Sequence, residues 1–316
     1  MAEQSVSVII PTYNYGRFLP DAIDSALRQS GPNLAVEVVV VDDGSTDDSA
    51  EIAARYGDRV RYIYQKNAGL SAGRNTGMRE ASHDLVVFLD ADDMLVPGAL
   101  ASLLAGRERI APRPAVVAAR DRAVDVNGIF LGPPLQESEN IIAITARLLV
   151  LRNQFGCFVL ADRGVLLALG GFDTELRASE DRDMWIRVAA RHPVVLLERC
   201  VALRRDHGTN MSRNPRRQTA SIERVLAKAF ANPDLHLSAG DRRLARAVCW
   251  YQSALMYAEA GERMNAARQM LRSILQCPLG PLKDAAVPPF SRLRGLAGIA
   301  LSAIREVRRI SPSFSR

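Results

Sequence analysis

Cysteine is scarce and unpatterned in this chain. Cys157, Cys200, Cys249 and Cys277 are scattered over 316 residues with no pair at metal-ligand spacing. That removes a cysteine-based metal site from consideration and suits a reducing compartment. No run of about 20 apolar residues occurs, so a membrane-spanning helix is not expected. The N-terminus has no basic segment leading into an apolar stretch and enters a strand-like run at Ser5, so a secretory leader is not expected either. Internal repeats and low-complexity segments are also missing. What remains is the composition of a folded soluble protein, 48% hydrophobic and 24% charged. The length accommodates one large α/β domain with an appended piece, or two domains.

Acidic residues are scarce in one region only. Residues 213–316 carry 18 Lys/Arg against 7 Asp/Glu, whereas residues 1–212 carry 23 against 28. A basic tail on an acidic body can meet an anionic membrane or nucleic acid, or simply present a solvated helical face. Few aromatics are interleaved with the basic residues of the tail, which argues against nucleic acid.

The first ninety residues alternate strand and helix signals. Val6–Ile10, Val36–Val41, Val60–Tyr64 and Leu85–Leu89 read as strands, and Phe18–Gln29, Ser45–Tyr56 and Ser71–Ala81 as helices. Repeated βα units imply a mostly parallel sheet with right-handed crossovers. Beyond about residue 95 the pattern loosens. Ala115–Ala119, Val124–Leu131 and Val194–Leu203 are expected as strands, and Ile141–Leu151, Arg163–Leu169 and Glu180–Arg191 as helices. From Gln218 onward the expectation is helical: 218–231, 241–260, 262–275 and 290–310.

Three carboxylates, Asp90, Asp92 and Asp93, follow the apolar run ending at Leu89. Acids clustered at a strand's carboxyl end repel one another unless a cation neutralises them, and hard divalent cations prefer oxygen ligands. Ligands of open α/β sheets bind at that end of the strands. The cluster is therefore a candidate site for a metal holding a phosphorylated ligand. Val41-Asp42-Asp43-Gly44-Ser45 ends the second strand. A carboxylate there suits a ribose or base, or serves an ordinary βα turn. Asn67-Ala68-Gly69 with Arg74 opens the third helix, offering donors to phosphate or carboxylate, or close packing. Glu180-Asp181 opens a later helix, where acids suit the helix dipole and a general base alike. His207 follows the last strand, as a ligand or as a structural residue. A phosphoacceptor receiver domain needs a later lone Asp, then Ser/Thr and Lys, and that series is missing.

The order of these motifs is specific. Val8-Ile9-Ile10-Pro11-Thr12-Tyr13-Asn14, Asp42-Asp43-Gly44-Ser45, Asn67-Ala68-Gly69 with Arg74-Asn75, the 90–93 acids and Glu180-Asp181 together resemble family 2 glycosyltransferases over residues 5–212. The resemblance implies the GT-A fold, an α/β, Rossmann-like, mostly parallel mixed sheet flanked by helices, over 1–212. Residues 213–316, outside the resemblance, are expected to form an α-helical C-terminal extension. It further implies a metal-dependent, inverting transfer of a sugar from a nucleotide-diphosphate sugar to an acceptor hydroxyl, in surface polysaccharide or glycolipid synthesis. Pro11, Thr12, Tyr13, Asn14, Asp42, Asn67, Gly69, Arg74, Asp90, Ala91 and Asp92 would bind the donor. Asp92, Asp93 and His207 would hold Mg²⁺ or Mn²⁺. Asp181 would be the general base with Glu180 supporting it. A nucleotide-sugar-binding scaffold without turnover is the competing reading. Pyrophosphorylases of related fold need a Gly-rich, basic first loop, and Tyr13-Asn14-Tyr15-Gly16 stands there instead.

The implied partners are the donor and a glycan or lipid-linked acceptor, with homo-oligomers left open and nucleic acid not expected. The expected location is cytoplasmic, including the inner membrane face. The segment 290–310 has Phe290, Leu293, Leu296, Ala300, Ile304 and Val307 on one helical side with arginines beside it. That pattern suits peripheral membrane contact as well as packing.

Overall fold

The structure, a computed structural model, describes residues 4–208 and 210–278 and a few positions between 292 and 298. Contacts divide the chain into two compact units, Met1–Ala146 with Gln154–Gly208, and Arg147–Asn153 with Thr209–Arg316. The sequence placed the boundary after residue 212 and did not separate 147–153.

In the first unit, β1 (Gln4–Thr12), α1 (Leu19–Leu27), β2 (Leu34–Asp42), α2 (Ser49–Ala54), β3 (Arg61–Tyr64), α3 (Leu70–Glu80) and β4 (Leu85–Phe88) follow in turn. Then come β5 (Met94–Leu95), α4 (Ala99–Glu108), β6 (Val116–Val124), β7 (Ile141–Ala143) and α5 (Ala146–Leu151). β8 (Val159–Asp162), α6 (Arg163–Ala168), α7 (Glu180–Ala189) and β9 (Val194–Arg205) complete the unit, apart from α5, most of which belongs to the second. The sheet order is β3-β2-β1-β4-β8-β6-β9-β5, with β7 also on β9. β3, β2, β1 and β4 are parallel; β8 is antiparallel to both of its neighbours, β4 and β6; β9 is parallel to β6. Two antiparallel steps restore direction, so β1, β2, β3, β4, β6 and β9 all end at one edge. The loops after Thr12, Asp42, Tyr64, Phe88 and Arg205 therefore converge, and the start of β8 lies among them.

The central strands are buried on both faces, which is why β1 and β2 read as β-branched runs rather than alternating ones. Val6, Val8, Ile10, Val38, Val40 and Val87 pack with Leu19 and Ile23 of α1 on one side. On the other side α3 lies directly on β1. A Cβ on Gly77 would meet Ile9 Cγ2 at 2.2 Å.

Two expectations fail, each for a local reason. Val124–Leu131 is not a strand: β6 stops at Val124, and the Asp125 carboxylate accepts the Asn127 and Ile129 amides to close a turn. Ile141–Leu151 is not one helix, because Ile141–Ala143 pairs with β9 and only Ala146–Leu151 coils. The short strands β5 and β8 were not foreseen.

The second unit is helical: α8 (Pro215–Ala231), α9 (Ala239–Glu259) and α10 (Arg263–Gln276). Asn214 caps α8, and Ser238 with Asp241 forms a reciprocal capping box on α9. Small residues (Ala247, Ala254, Ala266) let α9 and α10 approach, and Ser273 donates to the Ala247 carbonyl at 2.6 Å. Most of the segment 290–310 lies outside the described residues. Among the described residues no helix is long and apolar enough to cross a membrane, and all four cysteines are free thiols.

Candidate active site

The loops after β1 and β2 are tied together before any ligand is considered. Asn14 sits in the left-handed region at φ 57°, donates its amide to Ser45 Oγ at 2.9 Å and accepts the Thr46 amide at 2.8 Å. The Asp47 carboxylate accepts the Gly16 amide at 2.9 Å. Asp42 accepts the Ser45 amide and the Tyr62 hydroxyl, both at 2.7 Å. Burial, and next the Asp42 carboxylate, push the Tyr62 hydroxyl upward. Asp43, read in the sequence with Asp42 as suited to a ligand or to a βα turn but not named among the site residues, accepts Gln65 Nε2, the Ala68 amide and the Gly69 amide at 2.6–2.9 Å. It thereby shapes the Asn67–Gly69 loop, and Gly44 at φ 83° permits the close pass by Asn67. Pro11 and Thr12 are buried, while Tyr13 and Asn67 are exposed.

Arg74, on α3, is 1% exposed. It donates through Nη2 to Asp90 Oδ1 at 2.7 Å and through Nη1 to Glu180 Oε1 at 2.5 Å. One guanidinium thus joins the end of β4 to the start of α7, 106 residues apart in sequence from its second partner. The next residue, Asn75, exchanges hydrogen bonds with the Phe172 carbonyl and amide at 2.8 Å, fixing the loop that leads to α7. Burial opposes the Arg74 charge, but its surroundings reverse that effect and raise its pKa. The two carboxylates are the effective partners, because burial pushes the nearby Cys157 thiol well up and keeps it neutral. The charges of Asp181, Asp90 and Glu180 also bear on Cys157, a buried thiol on the approach to β8. Sequence reading missed it, and no pattern around Cys157 could have flagged it.

Asp181 occupies the first turn of α7 and accepts the Arg182 amide at 2.7 Å. Ser179 before the helix is left-handed at φ 56°, a conformation that costs a non-glycine residue about 1 kcal/mol or more. The helix is held from behind by Trp185, packed on Phe88, Phe155 and Phe172.

The rest of the acidic cluster faces β9. Asp92 Oδ2 and His207 Nε2 are 2.8 Å apart. The His207 ring packs against Phe18 (5.0 Å between centroids) and edge-on to Tyr15 (5.6 Å). Asp93 is buried and accepts the Arg205 amide at 2.8 Å, while Arg205 reaches Asp21 at 2.7 Å. Burial and then Asp90 raise the Asp92 carboxyl; burial, Asp92 and Asp90 raise Asp93 well above the usual range. Tyr15 is pushed up to about 12 by burial and these same acids. The cluster is short of positive charge, the condition a divalent cation relieves.

The structure therefore gathers Asp90 and Glu180 on the buried Arg74 charge, with Asp181 following Glu180 in the first turn of α7, and sets Asp92, His207 and Tyr15 together after β4. Asp93 turns to the β9 backbone instead. Among the described residues no three acidic, histidine or cysteine side chains are arranged to hold a metal ion.

A family model described as glycosyl transferase family 2 matches residues 7–166, half of the chain. The chain belongs to that family. An uncharacterized glycosyltransferase of Rickettsia typhi is 29% identical over 185 residues, covering 58% of each protein, so the chain spans little more than half the length of such relatives. The glycosyltransferase GlyA of Streptococcus pneumoniae is 43% identical over 98 residues, which are 30% of this chain and 14% of GlyA. Among solved structures, Staphylococcus aureus TarS in complex with UDP-GlcNAc superposes with a TM-score of 0.65 at 17% identity, over 96% of this chain and 92% of that one. The mannosyltransferase PcManGT of Pyrobaculum calidifontis, in complex with GDP-Man and Mn²⁺, gives 0.59 at 19%, over 98% and 87%. At these identities the likeness establishes the fold, which is GT-A-like.

Proposed function

We propose that the protein is a metal-dependent, inverting glycosyltransferase that moves a sugar from a nucleotide-diphosphate sugar to an acceptor hydroxyl in surface polysaccharide or glycolipid synthesis. The observation that carries this reading is the double ion pair of Arg74, which holds a carboxylate of the donor edge and one of the α7 edge in a single buried unit. The nucleoside lies against the loop Pro11–Asn14, with Asp42 shaping the neighbouring turn from beneath, Tyr13 exposed beside it and Asn67, Gly69 and Ala91 completing the wall. Asp90, 35% exposed at its side chain, faces the ribose. Family membership and the nucleotide-sugar complexes of TarS and PcManGT support a donor of this class.

The residues fit a Mg²⁺ or Mn²⁺ ion in part. Asp92 and His207 supply one oxygen and one nitrogen ligand already side by side, and burial, then the Asp90 charge, raise the Asp92 carboxyl. Diphosphate oxygens and water would complete such a shell, since both ions take oxygen ligands readily. When bound, the ion would neutralise charge on the diphosphate leaving group. Asp93 serves the cluster by holding the end of β9, and so His207, in place.

Asp181 is assigned the general base because Glu180 is committed to Arg74. It takes the proton of the acceptor hydroxyl as that oxygen attacks the anomeric carbon from the face opposite the diphosphate. Glu180 and Arg74 position the first turn of α7 for this role. The C-terminal helices hold the enzyme at the membrane surface where a lipid-linked acceptor resides.

The test is an Asp181→Asn variant, assayed for transfer to a broad acceptor panel and for donor binding. Transfer is expected to fall by about 10³-fold or more with donor affinity retained. Undiminished transfer would remove Asp181 from the role. Donor binding without turnover by the wild type favours the scaffold.

A further inference from the structure

The second unit contains a groove of about 230 Å³ between α8 and α9, lined by Glu223, Leu226, Phe230, Arg246, Cys249 and Trp250. Leu226 and Cys249 are buried, so the groove is apolar in depth. Trp250 donates its indole N–H to Glu223 at 3.0 Å, which fixes the ring as a wall. Three guanidiniums surround it: Arg246 lies 4.9 Å and Arg242 5.7 Å from the Phe230 ring centroid, and Arg272 of α10 lies 5.8 Å from that of Trp250. None of these three forms an ion pair among the described residues. An arginine stacked on a ring keeps its edge donors available for a phosphate; Arg242 gives its Nε to the Leu237 carbonyl and retains its Nη donors.

We propose that this groove docks an anionic phospholipid of a membrane surface. The acyl chain enters between Phe230 and Trp250, and the phosphate is held by Arg246 with Arg242 and Arg272 near it. A soluble anion would use the guanidiniums and leave the aromatic walls idle; a phospholipid uses both at once. The surroundings match. α10 has no acidic residue from Arg263 to Gln276, and it exposes Met264, Leu271 and Leu275, the last at 71%. The whole region from residue 213 carries 18 basic residues against 7 acidic ones. Basic side chains near an anionic surface each add to its attraction for the protein. The proposal rests on reading the protein as an enzyme of lipid-borne acceptors and gives the membrane contact a definite place.

The experiment uses the full chain and vesicles of phosphatidylcholine with or without about 30 mol% phosphatidylglycerol, acyl-brominated in a second set. Wild-type protein is expected to sediment with the anionic vesicles only, and the brominated lipid to quench Trp250 emission, with a Trp250→Phe variant defining the background from Trp185. Arg246 is exposed, so Arg246→Glu keeps the fold and is expected to weaken vesicle binding roughly tenfold. Its thermal shift with nucleotide diphosphates stays unchanged, which separates failure of this proposal from failure of the transferase reading. Equal binding to neutral and anionic vesicles, binding unaffected by Arg246→Glu, or vesicle binding without Trp250 quenching overturns it, as does no vesicle binding at all.

Discussion

Two Asp-Asp pairs stand at the carboxyl ends of parallel strands, and the structure uses them differently. Asp42 and Asp43 are filled by the protein: five donors from Ser45, Tyr62, Gln65, Ala68 and Gly69 reach their oxygens. Asp92 and Asp93 meet one imidazole and one backbone amide and are raised by burial and mutual repulsion. The first pair builds the loops that frame a ligand. In the second pair Asp93 holds the β9 backbone, and Asp92 faces His207. The same dipeptide, at the end of β2 in one case and in the turn between β4 and β5 in the other, is thus structural in one loop and, on the reading proposed, functional in the other.

Substitutions sharpen that contrast. Asp92→Asn is expected to cut transfer by about 10³-fold while leaving the melting temperature unchanged or raised, because it relieves repulsion. Asp43→Asn should do the reverse in kind: it leaves buried amides poorly matched and costs about 1–3 kcal/mol in urea unfolding, with a secondary loss of activity. Removing the link between the two halves of the site tests the frame itself. Arg74→Gln abandons Asp90 and Glu180 to each other and is expected to destabilise by about 3–5 kcal/mol, read by calorimetry. Gly77→Ala presses a methyl onto Ile9 and should cost about 1–3 kcal/mol without changing donor affinity.

The smallest effect concerns a carboxylate away from the site. Burial pulls the Glu37 carboxyl up, but hydrogen bonds from Ser7 and Ser82 outweigh it and hold it below its usual value. A carboxyl depressed in the folded state contributes stability above its unfolded value and loses it as pH falls through the folded one. Glu37→Gln should therefore flatten the loss of stability below about pH 4.5, measured by urea midpoints across pH.

Much of this was legible in sequence because it is local. An apolar run followed by acids, a βα turn with Gly44, and acids opening a helix are patterns within a few residues. The parallel half of the sheet followed from its β-branched runs. What escaped was set by long-range pairing. Nothing near Val159–Asp162 announces a strand inserted antiparallel between β4 and β6, yet that insertion brings Cys157 to the site. Arg74 was marked for phosphate or carboxylate, but its two partners lie 16 and 106 residues away. Asp43 was passed over because the dipeptide offers no means of telling which acid faces the loop. Tyr15 and Phe18 pack on His207 only once β9 pairs with β5, just past the acidic turn.

The most direct test of the central claim is nucleotide binding by thermal shift with and without Mn²⁺, on wild type, Asp92→Asn and His207→Ala. The account predicts that one nucleotide diphosphate raises the wild-type melting temperature more with Mn²⁺ than with chelator, and that both variants lose the metal-dependent increment while keeping the rest. An increment that survives in both variants, or wild-type binding indifferent to the metal, would contradict it.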